Sequence, residues 1–236
     1  MNLKPRPFPV VALAGSLALA AGLIGCQSVP DAHPVSLTSP DSQRVTNALG
    51  QWPHPSPGVA IKRPFFITIH AAGQRTSASG ILEYYGPRDF RITAATELGV
   101  ILLDARMNWA GVTVLRSMPG LDRRIIEALI DDMSHAFDVP SKLDGLKVGE
   151  EKMILQKRRS DTRDYTWIFD RTSGRLLQTD VAISSLDTLR IYYKSYNPVG
   201  WPLEMQIVRP VHLYDVSLSF TDNNVVRGAD ENPPAE

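Results

Sequence analysis

Cys26 is the only cysteine in the 236-residue chain, and its type makes it the first candidate for covalent chemistry. A thiolate is a nucleophile and a metal ligand. A single one forms neither an intrachain disulfide nor a cysteine-rich zinc site. The histidines stand at 33, 54, 70, 135 and 212. No two are three or four residues apart, the spacing that puts a metal-binding pair on one helical face. The chain has no G-x-S-x-G turn to present a nucleophilic serine and no glycine loop to cradle a phosphate. The carboxylates are spread over turns and one helix face, where solvation accounts for them. The pattern predicts a protein that is not an enzyme and needs no cofactor and no metal. With 25 basic and 25 acidic side chains, no cationic excess is available for nucleic acid.

The setting of Cys26 suggests a different use for its thiol. Lys4 and Arg6 form a short positive region, and the sixteen residues from Val10 to Gly25 carry no charge. That run is shorter than the roughly 20 residues a spanning helix needs, and it suits a secretion signal over residues 1–25. Its end, Leu23-Ile24-Gly25-Cys26, resembles the bacterial lipobox. The resemblance implies diacylglycerol on the Cys26 thiol, cleavage between Gly25 and Cys26, and acylation of the new amine. It leaves no thiol for catalysis. One acyl chain holds a protein weakly, whereas two or three hold it firmly. Gln27 in place of Asp implies export to the outer membrane, on its periplasmic side. An uncleaved membrane anchor with an incidental cysteine is the competing reading.

The hydrophobic fraction, 43%, excludes both a disordered chain and a multispanning one. Residues 26–64 hold seven of the eighteen prolines and read as a tether. One short helix interrupts it, with Ser39 as N-cap, Pro40 in the first turn, Gly50 at the end, and Val45, Ala48 and Leu49 as its apolar stripe. From Phe65 the period changes to two. Strands are predicted near 65–71, 76–85, 89–96, 99–106, 110–116, 151–158, 164–170, 175–182, 188–195, 203–209 and 213–221. Short turns join most of them, which favours antiparallel neighbours. One helix breaks the run: Leu121, Ile125, Ile126, Leu129, Ile130, Met133 and Phe137 make an apolar stripe. Asp122, Arg123, Glu127, Asp131 and Asp132 are placed on its polar side. Residues 223–236 read as a disordered tail.

The order of these elements resembles the LolA/LolB-type lipoprotein carriers. The likeness covers roughly residues 60–222. It rests on Gly80-Ile81-Leu82-Glu83-Tyr84-Tyr85-Gly86-Pro87-Arg88-Asp89-Phe90-Arg91-Ile92, followed by Thr96-Glu97-Leu98-Gly99-Val100-Ile101-Leu102-Leu103-Asp104. In the second half it rests on Tyr165-Thr166-Trp167-Ile168-Phe169-Asp170, on Leu189-Arg190-Ile191-Tyr192-Tyr193-Lys194-Ser195-Tyr196 and on Trp201-Pro202-Leu203-Glu204-Met205.

The resemblance implies a mainly β, α+β fold over 65–222: an unclosed antiparallel barrel of about 11 strands with a helical lid. It implies a monomer that holds acyl chains of a lipoprotein or lipid for transfer or insertion at the outer membrane, with a periplasmic carrier as a possible partner. Phe90, Ile92, Tyr165, Trp167, Phe169, Met205 and Ile207 would wall the cavity, or else form ordinary core. Ile125, Ile126, Leu129, Ile130, Met133 and Phe137 would face it from the lid. Leu98, at a hairpin tip, would engage the membrane, and Arg88 or Arg91 could hold the lid or simply be solvated. A scaffold that binds a protein partner through the same fold remains the alternative. A hydrolase would need a clustered triad.

Overall fold

Period-two alternation produces strands, and turn residues fix where they reverse. The computed structural model describes residues 32–56, 59–71, 73–119, 122–158, 163–212, 214–221 and 225–227. The first-half strands are β1 (His33–Pro34), β2 (Ala60–Ala71), β3 (Gln74–Gly86), β4 (Asp89–Ala95), β5 (Ile101–Asn108) and β6 (Gly111–Ser117). Those of the second half are β7 (Lys147–Val148), β8 (Lys152–Arg158), β9 (Asp164–Asp170), β10 (Leu176–Ser184), β11 (Asp187–Tyr196), β12 (Pro202–Arg209), β13 (Tyr214–Phe220) and β14 (Val225–Arg227). All pairings are antiparallel. The sheet order is β1-β7-β8-β9-β10-β11-β12-β13-β2-β3-β4-β5-β6, with β14 continuing the β13 lane along β2. Among the described residues β1 and β6 do not meet, so the barrel is unclosed.

The eleven strands read from the sequence are all present. The structure adds β1, β7 and β14, each two or three residues long. Regular structure therefore reaches into the segments read as tether and as tail, and β2 begins at Ala60 rather than at 65. Cys26 and residues 1–25 lie outside the described residues, as does Leu121 of the helix stripe.

Helix α1 (Pro40–Gly50) is capped by the Ser39 side chain, which accepts from the Ser42 amide at 3.1 Å. It docks across two turns of the sheet. Gly174, between β9 and β10, has φ +72°, and a Cβ there would come within 2.4 Å of the Arg44 carbonyl oxygen. Gly200, between β11 and β12, has φ +84° and would meet Gln51 at 2.5 Å. Glycine supplies both the backbone conformation and the clearance for this contact.

Helix α2 (Arg123–Ala136) starts at Asp122, whose side chain accepts from the Arg124 amide at 2.8 Å. Its apolar residues join inward side chains of β2–β5 and β8–β13 in one core. The outer face of β4 and β5 is polar. Arg91 makes a paired contact with Asp104, both bonds 2.9 Å, and this hydrogen bonding holds the Asp104 carboxyl below its ordinary range. Arg91 thus faces away from the lid, on the side opposite its buried neighbours Phe90 and Ile92. No described helix is long and apolar enough to cross a membrane.

Candidate functional site

The concave face of the sheet and the underside of α2 enclose the candidate site. Phe90 and Ile92 on β4, Tyr165, Trp167 and Phe169 on β9, and Met205 and Ile207 on β12 are all buried. From the helix, Ile126, Leu129, Ile130 and Met133 are buried against them, and Phe137 follows as the C-cap. Ile125 departs from its expected place: it is 49% exposed on the outer side of the first turn. The Phe137 ring lies 5.0 Å from that of Tyr84, 5.5 Å from Phe90 and 6.2 Å from Trp201. In this conformation the lid's own side chains occupy the space over the sheet floor.

The last turn of α2 leaves carbonyls without helical partners, and the sheet answers one of them and one just beyond the C-cap. Tyr193 Oη donates to the Ala136 carbonyl at 3.0 Å, and Trp167 Nε1 donates to the Asp138 carbonyl at 3.0 Å. Tyr165 stacks on Trp167 with centroids 5.2 Å apart, and its hydroxyl lies 2.7 Å from His135 Nδ1. The His135 Nε2 faces an Arg163 N–H, which can only donate. In this contact Nε2 takes the part of the acceptor.

One polar cluster is buried on this underside. Asp132, placed by the sequence on the solvent side of α2, has 0% exposure. Its carboxylate accepts from Arg209 Nη1 at 2.9 and 3.0 Å and from the Tyr214 hydroxyl. Arg209 also donates to Asp187, at 2.8 Å from Nη2 and 3.2 Å from Nε. Burial pushes the Asp132 carboxyl up to about 7; the Arg209 charge and its hydrogen bonds pull the other way, while Asp131 and Asp187 add to the rise. Arg209 of β12 is thus the arginine paired with Asp132 on the underside of α2, whereas Arg91 pairs with Asp104 on the outer face and Arg88 lines the cleft beside the helix. Sequence reasoning missed it because the three partners lie on separate elements. The usable signal was an acid one residue from Met133 in the apolar stripe.

Beside α2 the surface opens into a cleft of about 510 Å³, lined by Arg88, Met107 and Trp109 on the sheet side and Glu127, Ala128 and Asp131 on the helix side. Met107 belongs both to this wall and to the core, so the cleft reaches the interior's edge. Trp109, at the tip of the β5–β6 hairpin, is 83% exposed. Leu98, in the turn between β4 and β5, is 91% exposed. Among the described residues no group of three or more His, Cys, Asp and Glu is placed to hold a metal.

An unclosed antiparallel half-barrel with a helix across its concave face defines the class, and that fold has solved counterparts. A LolA superfamily protein from Nitrosomonas europaea superposes with a TM-score of 0.50 at 8% identity, over 83% of this chain and 96% of that one. The chain shares the fold of that LolA superfamily protein. A DUF1329 family protein from Desulfovibrio piger aligns over 83% of this chain and 96% of its own, with TM-score 0.45 and 12% identity. A Vibrio parahaemolyticus domain provisionally named an outer membrane lipoprotein-sorting protein aligns over 81% and 93%, with TM-score 0.43 and 9% identity. No family model and no curated protein sequence matches the chain.

Proposed function

We propose that the chain is a lipid-anchored envelope protein that holds acyl chains of a lipoprotein or lipid between the half-barrel and α2, for transfer or insertion at the outer membrane. The observation that supports this reading is the construction of α2. A helix lies over a concave apolar floor, fastened at one place by a buried charge cluster and bordered at another by an open cleft. The reaction would involve no covalent step and no cofactor. An acyl chain must displace the Phe137 side chain from the floor. About ten buried methylenes supply about 8 kcal/mol, against roughly 1.5–3 kcal/mol for burial of one phenylalanine side chain. Displacement is therefore affordable in energy, and release follows where a receiver or the bilayer binds the chains more strongly.

The anchor in this reading is lipidated Cys26. His33 of β1 is seven residues further on, so the sheet edge would stay within about 25 Å of the bilayer. The second reading, a scaffold that binds a protein partner, is favoured by the packing of Phe137 against Tyr84, Phe90 and Trp201. The deciding experiment is native mass spectrometry of a secreted Cys26→Ala form purified without detergent, followed by solvent extraction. A stoichiometric acyl lipid or lipopeptide supports the carrier. A clean unliganded mass, with no uptake of added fluorescent fatty acid, removes it and leaves the scaffold.

A further inference from the structure

Two hydrogen-bond donors beside Phe137 have no acceptor among the described residues. Tyr84 has 0% exposure and Trp201 2%, yet neither Tyr84 Oη nor Trp201 Nε1 has a hydrogen-bond partner among the described residues. Buried polar atoms are almost always bonded, and leaving one unanswered costs about 1–3 kcal/mol. The two rings meet edge to face, 5.4 Å apart, and both touch Phe137. Elsewhere on the same floor, Trp167 and Tyr193 do find carbonyls at the end of α2. Unanswered donors are thus not general to the aromatic residues of this floor. Trp52 Nε1 has no partner among the described residues either, but its ring packs on Tyr193 rather than on Phe137.

We propose that Tyr84 Oη and Trp201 Nε1 form a donor pair for the ester carbonyl of an acylated ligand, uncovered when Phe137 withdraws from the floor. The inference rests on the acyl-chain reading and adds a ligand class to it: ester-linked acyl groups, such as those of a diacylglyceryl moiety, in preference to free fatty acids. Both groups can donate, and the ligand need bring only acceptors. Burial, with the Asp138 charge near, pushes the Tyr84 hydroxyl above its ordinary range, so it keeps its proton. The same desolvation and the same negative charge disfavour a carboxylate beside it. The buried Arg63 does not reverse this preference. It donates to the Pro202 and Thr221 carbonyls, and it lies over the face of the Trp201 ring, 4.7 Å from the centroid, whereas Nε1 is on the ring edge.

The test uses the full chain carrying Cys26→Ala, with three probes: dioctanoylglycerol, its dioctyl ether counterpart and octanoic acid. Calorimetry on the wild type should show the ester bound about tenfold more tightly than the ether, the scale of one well-made hydrogen bond. Octanoic acid should bind more weakly than the ester. Tyr84→Phe should erase the ester preference and leave ether affinity as it was. Its ligand-free melting temperature should be equal to or above that of the wild type, because an unanswered hydroxyl has been removed. Trp201→Phe serves as the second variant. Equal binding of ester and ether, tighter binding of octanoic acid, or a lower melting temperature for Tyr84→Phe overturns the donor pair while the acyl-chain reading stands. Failure of all three probes to bind overturns both.

Discussion

The underside of α2 meets the sheet in two contrasting ways. At Asp132 charge is matched by charge: Arg209 bridges Asp132 and Asp187, and Tyr214 adds a hydroxyl. At Phe137, seven atoms of hydrocarbon ring and methylene lie on an aromatic floor where Tyr84 Oη and Trp201 Nε1 have no acceptor among the described residues. The first contact is specific and tolerates one arrangement. The second is non-directional and can be replaced by any apolar group of similar bulk. On the carrier reading, a helix held this way would have a fixed position when shut and an exchangeable lining.

Four changes sharpen or break that contrast. The largest effect is expected from Arg209→Met, which leaves Asp132 and Asp187 buried without their cation. Losing one partner of such a cluster costs about 3–5 kcal/mol, read as a drop in urea midpoint at unchanged slope; a loss under 1 kcal/mol would show that the cluster fixes nothing. Phe137→Ala comes next. It should cost about 3 kcal/mol, near the low end for a phenylalanine truncation because α2 can settle into the space. On the carrier reading the same variant takes up a fluorescent acyl probe faster than the wild type, whereas a filled scaffold gains nothing but instability.

The third concerns pH. Asp132 rises from 3.8 unfolded to about 7 folded, so the native state binds its proton more tightly. The stability this contributes is complete below about pH 4 and is lost as pH rises through about 7. Asp132→Asn, neutral throughout, should flatten that decline between about pH 4 and 7; an undiminished slope in the variant assigns it to other groups. The smallest change in stability belongs to Leu98→Glu, within about 0.5 kcal/mol for so exposed a site. If Leu98 engages the membrane, lipid delivery to vesicles should nevertheless stop. Delivery at the wild-type rate removes that role.

The strands were legible because alternation and turn residues are local signals, and each of the eleven spans seven residues or more. β1, β7 and β14 were not, because two or three residues carry no period. Their pairing is decided by a neighbour distant in sequence, as when His33 pairs with Val148. The lid helix was legible from its stripe, and the burial of Phe90, Trp167 and Ile207 followed from alternation. The charge cluster was hidden for the opposite reason. Asp132 and Arg209 are 77 residues apart, and a helical wheel assigns an aspartate to solvent unless its partner is known. The unanswered donors were hidden too, since sequence shows that a tyrosine can donate but not that nothing accepts.

The placement of β2 has a consequence for how the chain folds. β2 pairs along its length with β3, its neighbour in sequence, and with β13, which ends at Phe220. The ladders β2–β6 and β7–β13 consist of local hairpins and can form early, whereas the β2–β13 seam closes a loop of well over a hundred residues. Such closure is slow relative to hairpin formation. A chain delivered N-terminus first therefore holds half a sheet with a bare edge at β2 until its last long strand arrives. Exposed edges of that kind invite pairing with other chains. Truncation just before Tyr214 should accordingly yield aggregation rather than a smaller folded protein.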